Sequence, residues 1–113
     1  MKIKTSEKYT AVIIELKGNV MGGDDTKSFN DLIHKLIDEG KTNIVVDLSG
    51  VKFMNSSGLG MLIGGYTTLK KANGHLKLAN VTDKIESLLI ITKLITIFES
   101  FDSVDDAVKS FSP

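Results

Sequence analysis

An unbroken apolar run lies within "NIVVDL", residues 43 to 48, and helical patterns precede and follow it. A strand buried on one face alternates apolar and polar residues, whereas a continuous run is typical of a strand covered on both faces in a parallel sheet. Parallel neighbours are joined by crossover connections, which are usually helices. The run therefore predicts a layered α/β fold.

The residues before this run predict two strands. Residues 1 to 17 alternate between polar and apolar side chains, which indicates two half-buried strands. We expect a turn near Glu7 and Lys8, and Gly18 closing the second strand.

A helix follows the second strand. The apolar residues from Phe29 to Ile37 share one helical face. Asp24 and Asp25 suit the positive N-terminal end of that helix, and Gly40 is the residue type that ends a helix in the left-handed conformation.

The C-terminal half alternates between helix and strand. Its predicted elements are a helix from the serine pair at 56 and 57 to a stop at 73–74, a strand "HLKLA" at 75–79, a helix from Thr82, a strand "ITIF" at 95–98 and a short helix capped by Ser103. The order predicts a mostly parallel central sheet of about five strands with about four helices and right-handed crossovers. At 113 residues, we expect a single domain spanning 1–113.

Composition excludes several functional classes. Fourteen basic residues, all lysine, balance fourteen acidic ones, and without a basic stripe we expect no direct nucleic-acid binding. With no cysteine and no histidine pair at ligand spacing, we expect no metal site, and we expect no cofactor. No apolar run is long enough to span a bilayer, so a cytoplasmic protein without membrane attachment is expected.

The stretch "FMNSSGLGMLIGGY", residues 53 to 66, breaks the local rules for a helix. Ser57 or Ser56 suits the N-cap, which would leave the other serine displayed at the carboxyl end of the sheet. Glycine in a helix costs roughly 1 kcal/mol against alanine. We therefore assign Gly58 and Gly60 to function, and Gly64 and Gly65 to helix packing.

The same stretch lacks the partners that a catalytic serine requires. The G-x-S-x-G nucleophile elbow and the G-x-x-x-x-G-K-[ST] phosphate loop are both missing. His34 and His75 are expected to be surface residues rather than bases. We therefore expect no catalytic residue, and expect the serine to be modified.

At "VDLSGVKFMNSSGLGMLIGGY", residues 46 to 66, the sequence resembles the anti-sigma factor antagonist family, the bacterial single-domain members of the STAS fold. The early strand ending in Gly18 and the strand "LKLANV" extend the resemblance over nearly the whole chain. It implies a STAS-like domain that binds an anti-sigma factor and thereby releases a sigma factor. It also implies that this partner is a serine kinase, and that a PP2C-type phosphatase reverses the modification.

The resemblance also assigns residues to these roles. It makes Ser56 the phosphorylated serine, with Ser57 as the fallback, and extends the partner-binding surface over Asn55, Gly58, Leu59 and Gly60. Asp24 and Asp25 join that surface in place of the acidic residue that the family carries after its second strand, although they could equally be helix-start charges.

Asn55 stands where the family usually has aspartate, and this keeps an alternative open. In that alternative the chain is a non-switching STAS scaffold or a partner-binding subunit of a signalling, secretion or lipid-transport assembly. A second open point concerns Leu88 to Ile91, which are apolar all round. We expect the helix to end there and the chain to fold back under it rather than to expose a partner surface.

Overall fold

The structure, a computed structural model, describes residues 1–111, which form five strands and four helices. The elements are β1 (Lys2–Lys8), β2 (Ala11–Val20), α1 (Asp24–Asp38), β3 (Asn43–Met54), α2 (Ser56–Lys71), β4 (His75–Ala79), α3 (Asp83–Ile91), β5 (Ser100–Phe101) and α4 (Val104–Lys109). The strands lie in the order β1-β2-β3-β4-β5. β1 and β2 are antiparallel and every other neighbouring pair is parallel, which confirms the predicted α/β fold with a mostly parallel central sheet.

β3 is the central strand, and its apolar run is buried on both faces as predicted. Ile44 and Val46 pack into the main core, which α1, α2 and α3 cover. Val45 points to the other face, where α4 covers a smaller cluster that includes Ala107 and Val108. Helices on both faces explain why this strand cannot alternate.

The first turn and the end of the second strand both lie further along the chain than expected. The first turn lies at Tyr9 and Thr10 rather than at Glu7 and Lys8, and Tyr9 there has φ = 55°. β2 continues through Gly18 to Val20, because it pairs with β3 as far as Met54. This extension carries the end of β2 to the start of α2.

The prediction of a strand at 95–98 is wrong. That segment forms turns, and the last strand is the two-residue β5, whose Ser100 and Phe101 pair with Leu78 and Ala79. The backbone N–H of Ile97 donates to the carbonyl oxygen of Leu94 at 3.0 Å, so the segment is folded into turns and bonds to β4 only from Glu99 onwards. A β-branched apolar segment therefore stays outside the sheet despite its strand-like composition.

The predicted helix signals hold at several ends. Gly40 has φ = 75° directly after the C-cap of α1. Thr82 and Ser103 cap α3 and α4, and the Ser103 hydroxyl accepts a hydrogen bond from the backbone N–H of Asp106 at 3.1 Å. These caps fix where the two shorter helices begin.

Candidate functional site

The site lies where β3 passes into α2. Asn55 is extended, with φ = −103° and ψ = −178°, and its side-chain Oδ1 accepts a hydrogen bond from the backbone N–H of Gly58 at 2.8 Å. Asn55 is therefore the N-cap, and the prediction that Ser57 or Ser56 caps the helix is wrong. Asparagine caps as well as serine does, so the end of β3 at Met54 decides which residue takes the position.

Because Asn55 is the N-cap, neither serine side chain caps the helix. Ser56 and Ser57 form the start of the first turn of α2, and both are exposed. Within residues 1–111, neither hydroxyl takes part in a hydrogen bond. Two exposed hydroxyls therefore lie at the carboxyl end of the central strand, and neither is needed to cap the helix.

The end of β2 and the loop after it pack against this first turn. The backbone N–H of Asn55 donates to the carbonyl oxygen of Val20 at 3.3 Å. A Cβ at Gly58 would lie 2.0 Å from that same oxygen, and a Cβ at Gly22 would lie 2.7 Å from Cβ of Ser57. Glycine is required at both positions, and at Gly22 a φ of +83° requires it as well.

This contact brings Asp24 and Asp25 to the same edge as the serines, because α1 begins directly after the loop. Asp24 is exposed. The carboxylate of Asp25 lies 3.7 Å from the amino group of Met1, so part of its charge is compensated. Both carboxylates also stabilise the start of α1 through its dipole.

The first turn of α2 carries no acidic residue, whereas the first turns of α1, α3 and α4 each do. The neutral amide of Asn55 is its cap. The first turn of α2 itself therefore supplies no charge that opposes the positive end of its dipole beside the two hydroxyls.

The shifted pKa values lie away from this site. The Asp105 carboxylate accepts a hydrogen bond from Lys8 Nζ, which raises the pKa of Lys8 and lowers the pKa of Asp105. The carboxylates of Glu7 and Glu39 raise the pKa of Lys41. All of these side chains are on the surface, and the pairs link β1 to α4 and to the end of α1.

The four glycines of α2 divide differently from the prediction. Gly58 and Gly65 are required by packing, since a Cβ at Gly65 would lie 2.6 Å from the ring of Phe29. Gly60 faces open space, and a Cβ at Gly64 would meet only Asn30 Oδ1 at 4.0 Å. Packing thus accounts for Gly58, where the sequence predicts a functional role, and does not account for Gly64.

The expected partner-binding residues differ in their exposure. Ser56, Ser57 and Gly60 are exposed, and Asn55 is half-buried. Gly58 and Leu59 are buried, with Leu59 only 2% exposed in the core under the helix. The part of the motif that a partner can touch is therefore its polar face.

An apolar groove beside the serine pair was not predicted. It has a volume of about 410 Å³ and is lined by Phe53, Met54, Lys84, Ile85, Ser87, Leu88 and Ile91. α3 ends at Ile91 as expected, but Phe53 is 48% exposed and Ile91 78% exposed, so the chain that follows leaves an apolar surface uncovered. The available signal was Phe53, a large apolar residue two positions before Asn55.

Both histidines lie away from the serines. His34 is exposed on α1, about 15 Å along the helix from its start, and His75 opens β4 at the opposite end of the sheet. Within residues 1–111, no group of three acidic or histidine side chains is arranged to hold a metal ion. Among the helices of that part of the chain, none has the length and apolar content that crossing a bilayer requires.

Comparison with known proteins shows the family of this chain. Residues 2–107 match the STAS domain family. The anti-sigma-B factor antagonist of Bacillus subtilis is 33% identical over 82 residues, which cover 71% of this chain and 75% of that protein. This chain belongs to the anti-sigma factor antagonist family.

Solved structures of the family share the fold. An anti-sigma factor antagonist from Mycobacterium paratuberculosis superposes with a TM-score of 0.84 at 19% identity, covering 99% of this chain and 94% of that one. The Bacillus cell fate determinant SpoIIAA in its phosphorylated form gives a TM-score of 0.74 at 20% identity, covering 96% and 98%. STAS proteins with very different sequences thus keep the arrangement of strands and helices seen in this chain.

Proposed function

We propose that this chain, acting as a single cytoplasmic STAS domain, is an anti-sigma factor antagonist switched by phosphorylation of Ser56. Unmodified, it binds a cognate anti-sigma factor that is also a serine kinase, and a sigma factor is released. Phosphorylation of Ser56 ends the binding, and a PP2C-type phosphatase restores it. The observation that carries the proposal is the cap by Asn55, which leaves the Ser56 hydroxyl exposed and without a hydrogen-bond partner among residues 1–111.

The relatives support this proposal. The Bacillus subtilis relative is named for antagonising the anti-sigma-B factor. SpoIIAA, which shares the fold, is described in a phosphorylated form. The resemblance of the motif makes Ser56 the phosphorylated residue and Ser57 the fallback.

The physical effect of a phosphate at Ser56 favours a switch over unfolding. A phosphoserine carries about −1.5 to −2 charges at neutral pH. At the start of α2 that charge is worth about 0.3 to 1 kcal/mol of stabilisation, because no acidic residue in the first turn opposes it. The domain therefore stays folded when it is modified.

The cost falls on the partner interface. A buried charge without a counter-ion costs about 2 to 5 kcal/mol there. At about 1.4 kcal/mol for each tenfold change, the phosphate weakens binding by about one to four powers of ten. That range is sufficient for an anti-sigma factor to exchange this chain for its sigma factor.

The proposed partner surface combines polar and apolar parts. Its polar part is the exposed face of residues 55–60 together with Asp24 and Asp25, which the Gly22–Ser57 contact holds at the same edge. Its apolar part is the groove that begins at Phe53. A partner that covers both parts gains affinity from the apolar groove. Its binding also depends on the charge of the serine beside that groove.

The second candidate is the non-switching STAS scaffold, and the observation that favours it is the amide at Asn55. An amide caps the helix as a carboxylate would, but it brings no negative charge for a kinase to recognise. Under this candidate the same surface binds a partner without regulation by phosphate.

The two candidates differ in one binding experiment. Three forms of the chain would be compared. One is unmodified, one carries phosphoserine at position 56, and one carries phosphoserine at position 6 as the matched control. Ser6 is exposed on β1, towards the opposite end of the sheet. We expect the unmodified and Ser6-modified chains to retain an anti-sigma factor from native cells, and the Ser56-modified chain to bind it at least about tenfold more weakly. Equal retention of that protein by all three chains would replace the switch with the scaffold.

A further inference from the structure

A second concave site lies where the sheet opens between β3 and β4. The last β3–β4 pair is Asp47 with Ala79, after which β3 continues to Met54 and β4 ends. Asn80, with φ = 56°, turns the chain away towards α3. The strands thus diverge at their carboxyl ends, which is where open α/β sheets form ligand crevices.

The crevice has a volume of about 560 Å³, within the usual range for small-molecule sites. Its lining residues come from β3, the β4–α3 loop, α3 and the segment around β5, and they include Ser49, Asn80, Glu86, Leu89, Phe98 and Asp102. None of them belongs to α2, so this crevice is separate from the serine pair. Leu89 and Phe98 are buried and give it an apolar floor.

The charged side chains of the lining are both acidic. Glu86 and Asp102 are exposed carboxylates, and in the described part of the chain no lysine lines the crevice. Within residues 1–111, neither carboxylate belongs to an ion pair. Glu86 also suits the start of α3, but Asp83 serves that helix in the same way without lining the crevice.

The other polar groups of the crevice can all accept hydrogen bonds, although the hydroxyls can donate as well. Asn80 Nδ2 donates to the carboxylate of Asp47 at 3.0 Å, which turns the amide so that its Oδ1 has no partner within residues 1–111. The Ser49 and Ser100 hydroxyls add two more groups that can accept. A ligand that complements this lining carries several N–H donors, a positive charge and an apolar body.

We propose that this crevice binds an alkyl cation ending in a guanidinium or ammonium group. The alkyl part lies on Leu89 and Phe98, and the cationic end is bound by Glu86 and Asp102. Two sources have this chemistry, namely a free small cation and an arginine or lysine side chain presented by a protein.

The test is an NMR titration of the full chain with butylguanidinium, with butylurea as a neutral probe of the same shape. We expect saturable shifts of the backbone amides at 80–86 and 100–102 with butylguanidinium only. A Glu86→Gln, Asp102→Asn double variant should bind at least about tenfold more weakly, because it loses two charge-assisted hydrogen bonds. Asp83→Asn, which removes a carboxylate outside the crevice, should bind as the unmodified chain does.

A capped tripeptide with a central arginine separates the two sources. Binding of the peptide at least as tight as that of butylguanidinium supports a protein side chain, and binding of butylguanidinium alone supports a free cation. Three results would overturn the proposal: no saturable shift with butylguanidinium, equal shifts with butylurea, or unchanged affinity in the double variant. Because Ser56 lies outside the crevice, none of these results bears on the phosphorylation switch.

Discussion

Gly58→Ala and Gly60→Ala should change the stability of this chain in opposite directions, although the two residues are in the same helix. A Cβ at Gly60 meets open space, so the substitution gains the helix propensity of alanine, up to about 1 kcal/mol. A Cβ at Gly58 would lie 2.0 Å from the carbonyl oxygen of Val20, so the end of β2 or the start of α2 must move. Overpacking against backbone costs about 3 kcal/mol, which leaves a net loss of about 2 kcal/mol after the propensity gain.

Thermal unfolding measures this difference directly. At about 2.1 cal/mol/K of unfolding entropy per residue, a change of 1 kcal/mol moves the Tm of a 113-residue chain by about 4 °C. Gly60→Ala should therefore raise the Tm by about 2 to 4 °C, and Gly58→Ala should lower it by about 8 °C. Equal shifts of the two variants in calorimetry would refute the packing account of α2.

Further predictions concern the cap, the second glycine pair and acid stability. Asn55→Ala should lower the free energy of unfolding, measured in urea, by about 1 kcal/mol, while Asn55→Asp should preserve it. An unchanged free energy of unfolding in Asn55→Ala would contradict the capping role of Asn55. In the same assay Gly65→Ala should destabilise and Gly64→Ala should not, because only the first meets Phe29. The folded-state pKa of Asp105 is lowered, so its pairing with Lys8 stabilises the fold above the unfolded-state pKa and is lost as the pH falls through the folded-state value. Asp105→Asn should therefore reduce the loss of stability on acidification, and an identical pH profile would show that the pair contributes nothing.

The sequence predicted those parts of the fold that depend on local pattern. The buried run at residues 43–48, the apolar face of α1 and the caps at Thr82 and Ser103 all appear as expected, because burial on both faces and capping each leave a periodicity or a residue type in the sequence. The strand at 95–98 failed for the opposite reason. Its composition favours a strand, but a hydrogen bond from the backbone N–H of Ile97 to the carbonyl oxygen of Leu94 holds it in a turn, which composition does not reveal.

At the candidate site the sequence located the motif but not its geometry. Asn55, Ser56 and Ser57 are all good capping residues, and only the end of β3 at Met54 selects the first of them. Likewise, nothing in the spacing of the glycines reveals that Gly58 meets Val20 while Gly60 meets nothing. These distinctions arise from contacts between β2 and α2, which are distant in the chain.

The most direct test of the proposed switch is the intact mass of this protein purified from its native cells, compared with Ser56→Ala and Ser57→Ala versions. We predict a phosphate-sized increment in the unmodified sequence and in Ser57→Ala, and none in Ser56→Ala. An increment that persists in Ser56→Ala and disappears in Ser57→Ala would move the modification to Ser57. No increment in any of the three, across growth and stress conditions, would contradict the switch and favour the scaffold.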